Sequence, residues 1–267
     1  MSSEAFSREP IQPLDLTARR ITGPTASSEA ACALGICDGS GFVIDEATNT
    51  ASDCECRAGR IAGARTRGLA GRIPRRYQGV SFERPPVSDI ARTAPEQVRE
   101  VRRYVGAIEN RIRAGKGLWL QGDVGTGKTT LAMLVSKAAL DAGRSVAIYS
   151  LPRLLSLLRD SMDSDKGMLD FMDRLTAVDL LHLDDLGAEN QTEWVLEQLY
   201  SIVNSRYEAE RAIVATTNLM PDELSERLGA RTVSRLVEIC GDPITLTGAD
   251  KRLEYRVERT ESAEHAG

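Results

Sequence analysis

Apolar positions along the chain fall into two rhythms. Five short runs, 117–121, 145–150, 180–185, 212–218 and 243–247, are of strand length and mostly apolar, the pattern of strands buried in a parallel sheet. Between them apolar residues return every three or four positions, which predicts helices. Val98, Val101, Val105, Ile108 and Ile112 give one amphipathic helix before the first strand. Residues 130–140 give another immediately behind it. Residues 151–172 form a helical region with a polar break at 163–167. Residues 193–206 form a helix burying Trp194, Leu196, Leu199, Tyr200 and Val203. Strands alternating with helices predict an α/β fold, a five-stranded parallel sheet between helices.

Composition divides the rest of the chain. Residues 1–30 are polar, interrupted by Pro10, Pro13 and Pro24, and read as poorly ordered. Residues 31–60 hold four of the five cysteines, and 61–77 form a basic linker. The ordered domain spans 78–250, and 251–267 make a polar tail. Seven arginines and no acid lie between Arg57 and Arg76, which suits either a solvated linker or contact with a polyanion. A net charge of −5 excludes a protein that coats nucleic acid over its whole surface. The chain has neither a membrane-length apolar run nor a basic-then-apolar leader pattern, so a cytoplasmic protein is expected.

The first strand run ends in Gly122-Asp123-Val124-Gly125-Thr126-Gly127-Lys128-Thr129, with Thr130 opening the helix behind it. Closely spaced glycines let consecutive N–H groups face one anion, and the helix start adds its positive end. Lys128 would reach the outer phosphates of a nucleoside triphosphate, and the Thr129 hydroxyl a Mg²⁺ ion. The third run ends in Asp184-Asp185, an apolar strand closing on two acids, with 55 residues between Lys128 and Asp184. Asp184 suits the Mg²⁺ shell and Asp185 the activation of water. Asn218 closes the fourth run, where an amide can sense the γ-phosphate. Arg231 and Arg235 stand four apart on a helix, so either can be offered to a neighbouring subunit's nucleotide. His182, among apolar neighbours, reads as a core residue, and Cys240 as a small buried one. Cys32, Cys37, Cys54 and Cys56 fall in two close pairs around a short hairpin at Phe42-Val43-Ile44. Two such pairs can supply the four thiolates of a Zn²⁺ site, in C-x₄-C and C-x-C spacing.

Residues 122–129, 180–187, 216–219 and 229–236 together resemble the DnaC/IstB group of AAA+ ATPases, over roughly residues 75–250. The cysteine segment is similar to the zinc module of DnaC/DnaI-type replicative helicase loaders, whereas IstB-type transposition helpers open with helices. The resemblance implies ATP and Mg²⁺ as cofactors and ATP hydrolysis, which the shorter reach of Asp185 would make slow. It implies a homo-oligomer when ATP is bound, single-stranded DNA as a ligand and a DnaB-type helicase as partner. It assigns Lys128 and Thr129 to phosphate and Mg²⁺, Asp184 and Asp185 to Walker B, Asn218 to sensor 1, and Arg235 to the arginine finger with Arg231 beside it. Asp185 stands where many AAA+ proteins carry Glu, and the C-terminal helical lid of larger members is not expected. On the resemblance the helical region 151–172 matches an insertion that lines the DNA path, with Arg153 and Arg159 as candidates for phosphate contact; the alternative is two amphipathic helices packed on the sheet. A transposase-activating ATPase and a non-hydrolysing, nucleotide-switched adaptor are the alternatives.

Overall fold

The computed structural model describes residues 32, 34–45, 48, 50–57, 60–61, 73–161, 165–188, 192–248 and 250. The expectations for 1–30, for 251–267 and for Arg65, Arg67 and Arg72 lie outside the described residues. The chain divides into two compact units, 1–56 and 57–267. In the first, β1 (Phe42–Asp45) pairs antiparallel with β2 (Thr50–Asp53), the hairpin expected between the cysteine pairs. Asp38 closes the turn before it, its Oδ1 accepting from Ser40 N at 2.8 Å.

The second unit opens with α1 (Val87–Thr93), α2 (Pro95–Gly106) and α3 (Ile108–Arg113). The single helix expected from Val98 to Ile112 is therefore two. Ala107 between them leaves the helical region at φ −116°, ψ 21°, which keeps the apolar residues of both pieces on the core at different angles. Then follow β3 (Leu118–Gly122), α4 (Lys128–Asp141), β4 (Val146–Ser150), α5 (Leu151–Ser161) and α6 (Asp165–Ala177). β5 (Leu180–Leu186), α7 (Glu193–Glu208), β6 (Ala212–Thr217), α8 (Pro221–Leu228), α9 (Ala230–Cys240) and β7 (Ile244–Leu246) complete the order. α6 resumes at Asp165 and runs to Ala177, so the expected break is shorter and the helix longer. Thr192 caps α7, its hydroxyl accepting from Val195 N at 3.3 Å.

The five strands β4-β5-β6-β3-β7 form one sheet, and every neighbouring pair is parallel. Because side chains alternate across a strand, each contributes to two cores. Leu118, Leu120, Val146, Ile148, Leu180 and Val214 pack with α1–α4 on one face. Trp119, Tyr149, Leu181, Leu183, Ile213 and Ala215 pack with α5–α9 on the other. The stripe that α7 buries is Val195, Leu199, Ile202, Val203 and Arg206, rotated from the expected one, with Trp194, Leu196 and Tyr200 only partly covered. Arg206 is fully buried. Its guanidinium donates to the carbonyls of Leu175 (2.5 Å), Thr176 (3.4 Å), Val178 (3.1 Å), Asp179 (3.4 Å) and Ala212 (2.7 Å). This fork closes the end of α6 and ties the start of β5 to that of β6. Burial lowers its pKa to about 9, with Arg211 adding and Asp179 opposing, so it remains charged at neutral pH.

Candidate nucleotide-binding site and cysteine cluster

In open parallel sheets the carboxyl ends of the strands are where ligands bind. Three strands deliver the predicted residues to that edge: β3 runs into the glycine loop, β5 into Asp184-Asp185, and β6 into Thr216, Thr217 and Asn218.

The glycine loop is shaped by what surrounds it. Gly127 caps α4 in the left-handed region at φ 99°, and a Cβ there would meet Ile90 Cδ1 at 2.2 Å. Gly122 lies against β7, where a Cβ would fall 1.8 Å from Leu246 O. The edge strand also holds the loop's first turn: Asp123 N donates to Leu246 O (3.1 Å), and Gly248 N to Asp123 Oδ2 (3.1 Å). Thr126 Oγ1 donates to Asp123 O at 2.8 Å. The buried Lys128 ammonium donates to Gly122 O (2.8 Å) and Asp123 O (2.5 Å), which holds the loop around a single cation. The exposed Val124 stands at the loop's outer side, and Thr130 follows in the first turn of α4.

Thr129, Asp184 and Thr216 form one hydrogen-bonded group. Asp184 Oδ1 accepts from Thr129 Oγ1 (3.0 Å) and Thr216 Oγ1 (2.7 Å). Burial alone would raise the Asp184 carboxyl, but His182 and the two threonine hydroxyls outweigh it and hold its pKa below the ordinary value. It is a carboxylate at neutral pH, and no hydrogen bond engages its Oδ2 among the described residues.

The next residue departs from the strand. Register runs Leu183↔Ala215 and then Leu186↔Thr217, so Asp184 and Asp185 together oppose Thr216 alone. This is a β-bulge, with Asp185 at φ 59°. Strict alternation would point Asp185 into the core under α5–α7; the bulge leaves it half-buried at the strand's end instead. Its N–H, released from the ladder, donates to Thr216 Oγ1 at 2.9 Å. Thr216 thus serves both acids, and Thr217 donates to Leu186 O (2.8 Å) just beyond. Sequence reasoning missed both threonines. The available signal was two hydroxyls closing an apolar strand beside the acids.

Asn218 is exposed immediately after β6. Arg231 is exposed in the first turn of α9, whereas Arg235 is held within its own chain. Its guanidinium lies 4.0 Å from the centre of the Tyr207 ring and donates to Glu238 Oε1 at 3.0 Å. In the helical region, Arg159 stacks on Trp194 at 4.6 Å and Arg153 is exposed. Cys240 Sγ donates to Ile213 O (3.3 Å), and burial pushes its thiol up to about 12.

In the first unit the thiols of Cys32, Cys37, Cys54 and Cys56 all lie within 4.8 Å of one another. Cys32 and Cys54 sulfurs are 3.8 Å apart, and those of Cys37 and Cys56 3.6 Å. A tetrahedron with Zn–S bonds of about 2.3 Å has edges of about 3.8 Å, so the spacing fits such an ion. Backbone N–H groups of Cys37 and Ile36 draw the Cys32 thiol down to about 6, while desolvation and the other thiols push Cys56 up to about 12. Four thiols this close cannot all ionise unaided, and a divalent cation removes that repulsion.

A parallel sheet carrying a glycine loop on one strand, paired acids on another and a polar strand end between them defines a P-loop ATP-binding protein of the AAA+ fold. Residues 97–238, over half of the chain, match the family described as IstB-like ATP binding protein, and the chain belongs to that family. It is similar to the replicative helicase loader DnaI of Bacillus subtilis (strain 168), 26% identical over 187 residues, 65% of this chain and 58% of that protein. It is also similar to the replicative helicase loader DnaC of Escherichia coli (strain K12), 26% identical over 161 residues, 60% of this chain and 64% of that protein. The chain thus spans less than two thirds of either relative. The crystal structure of the DnaC helicase loader superposes with a TM-score of 0.55 at 26% identity, covering 66% of this chain and all of that one. The crystal structure of DnaI gives 0.53 at 26%, covering 67% and 93%. The fold class and the family resemblance read from the sequence both hold. No helix among the described residues is long and apolar enough to cross a membrane.

Proposed function

We propose that this chain is an ATP-dependent loader that binds a DnaB-type replicative helicase and delivers it onto single-stranded DNA in the cytoplasm. The observation that carries the reading is the pairing of a four-cysteine cluster with an ATP-binding domain similar to the loaders DnaI and DnaC. A transposase-activating ATPase has no evident use for such a cluster. In this reading residues 31–60 form a Zn²⁺-held partner-binding module, 61–77 a basic linker, and 78–250 the ATPase domain.

The geometry supports the following roles. The N–H groups of residues 122–130 surround the phosphates, and Lys128 gives up its two loop carbonyls for the β- and γ-phosphate oxygens. Mg²⁺ supplies charge neutralisation when bound; Thr129 and Asp184 Oδ2 are the groups placed to hold it. Asp185 polarises the attacking water, and Asn218 orients it from the end of β6. Arg235, or Arg231 one turn earlier, completes the neighbouring protomer's site in an ATP-bound oligomer. For Arg235 this requires release from Tyr207 and Glu238.

Native mass spectrometry of the protein with its host's replicative helicase, with and without ATP, tests the reading. A defined complex lost on removing residues 1–76 is expected. Absence of any complex, with ATP turnover intact, would overturn the loader role. A turnover assay separates this enzyme from an adaptor that binds nucleotide without hydrolysing it.

A further inference from the structure

His182 lies on β5 two residues before Asp184, so both side chains face α4. On that helix Ser136 follows Thr129 by two turns and faces the same way. The result is two contacts between helix and strand, Thr129 to Asp184 at 3.0 Å and Ser136 Oγ to His182 Nδ1 at 2.8 Å. Ser136 and His182 are both fully buried. The second ring nitrogen of His182, Nε2, has no hydrogen-bond partner among the described residues and lies 3.9 Å from Asp184 Oδ1.

The tautomer follows from electrostatics. If Nδ1 carried the proton, the Nε2 lone pair would face a buried carboxylate oxygen across a medium of low dielectric, which is repulsive. If Ser136 donates to Nδ1, Nε2 carries the proton and presents an N–H to Asp184. A buried donor without an acceptor is itself unfavourable by about 1–3 kcal/mol, which favours closure of the 3.9 Å gap to Asp184 Oδ1.

We propose that His182 is a positioning residue for the metal-facing carboxylate: anchored by Ser136, it directs its Nε2–H at Asp184 Oδ1 and so keeps Oδ2 turned toward the Mg²⁺ of bound nucleotide. It becomes most important when the Thr129 hydroxyl turns from Asp184 toward the metal, leaving Oδ1 with Thr216 and His182. The proposal rests on the assignment of Asp184 to the Mg²⁺ shell. Residues that orient metal ligands typically change metal affinity by about 10–100-fold when lost.

Two substitutions separate this role from packing. An asparagine amide reaches roughly where Nδ1 lies, and a glutamine amide roughly where Nε2 lies. His182→Asn keeps the Ser136 contact and removes the donor facing Asp184, while His182→Gln keeps that donor. Fluorescent ADP is titrated into the full chain with Mg²⁺ and with EDTA, and folding is checked by thermal unfolding. Expected is at least tenfold weaker binding for His182→Asn in Mg²⁺, no change in EDTA, and recovery to within about threefold in His182→Gln. Wild-type-like binding by His182→Asn, or equal weakening by both, would overturn the proposal. A wild-type protein whose ADP affinity ignores Mg²⁺ would instead overturn the metal-site reading beneath it. Should both variants fail to fold, long-range ¹H–¹⁵N spectra of the wild type decide, because the chain has only two histidines. An Nε2–H tautomer at His182 whose shift moves with Mg²⁺–ADP supports the proposal, and an Nδ1–H tautomer refutes it.

Discussion

Replacing Thr216 by valine keeps the shape of the side chain and deletes the one hydroxyl that serves both acids. Two losses follow. Asp184 Oδ1 gives up a 2.7 Å hydrogen bond to a charged acceptor, worth about 1.5–3 kcal/mol. Asp185 N–H, which the bulge has already taken out of the ladder, loses its 2.9 Å acceptor, a further ~1–3 kcal/mol. The two share one oxygen and are not additive, so roughly 2–5 kcal/mol is expected, a large part of the ~5–15 kcal/mol that stabilises a typical domain. The first loss depends on pH. The folded-state pKa of Asp184 is depressed, so its contribution is complete above the unfolded value of about 3.9 and is lost as pH falls through the folded value. Removing the hydroxyl reduces the depression. Urea unfolding of wild type and Thr216→Val should therefore show the largest gap at pH 7 and convergence toward pH 3, with the Asp185 N–H part remaining. Equal stability at pH 7, or a gap that stays constant across the range, would refute the argument.

Arg206→Met leaves five carbonyls without their shared donor. A loss of about 3–5 kcal/mol, seen as a fall in melting temperature of roughly 6–20 °C, is expected by calorimetry. Asp185→Asn places a residue that tolerates the left-handed region at φ 59° and removes one of two adjacent acids. Its melting temperature should match or exceed that of wild type, while ATP turnover falls about 10²-fold or more. Metal analysis should find one zinc per chain, and Cys54→Ser or a strong chelator should remove it. Loss of the metal should unfold the hairpin unit, followed by circular dichroism, and leave nucleotide affinity unchanged.

The sheet was legible because its strands are nearly unbroken apolar runs, and the glycine loop because phosphate binding restricts residue type at fixed spacing. Other features depend on contacts between segments distant in sequence. Nothing in the sequence singles out Arg206, the last residue of the expected helix, as buried; the carbonyl end of α6 and the start of β6 surround it. The stripe on α7 was misplaced because Trp194 and Tyr200 are large and apolar enough to suggest burial, yet the helix turns Val195, Gln198 and Ile202 inward. The break at Ala107 follows Gly106, a helix-stop signal that the continuing apolar spacing from Val105 to Ile112 masked. The bulge at Asp184-Asp185 leaves no trace in a pattern of apolar letters, because it is a matter of register between β5 and β6. His182 was placed correctly in the core, but only the alignment of Ser136, two helical turns from Thr129, shows what its ring faces.

The bonds from β7 to the glycine loop bear on how the protein is made. Gly122 and Asp123 N–H meet Leu246, and the Asp123 carboxylate meets Gly248 N–H, more than 120 residues later in the chain. During synthesis the loop sequence leaves the ribosome well before the strand that holds it. The site that grips phosphate therefore matures last, after the motifs of β3, β5 and β6 have all been translated. A chain that terminates just after α9 would carry every recognisable motif and lack the strand against which the loop is set.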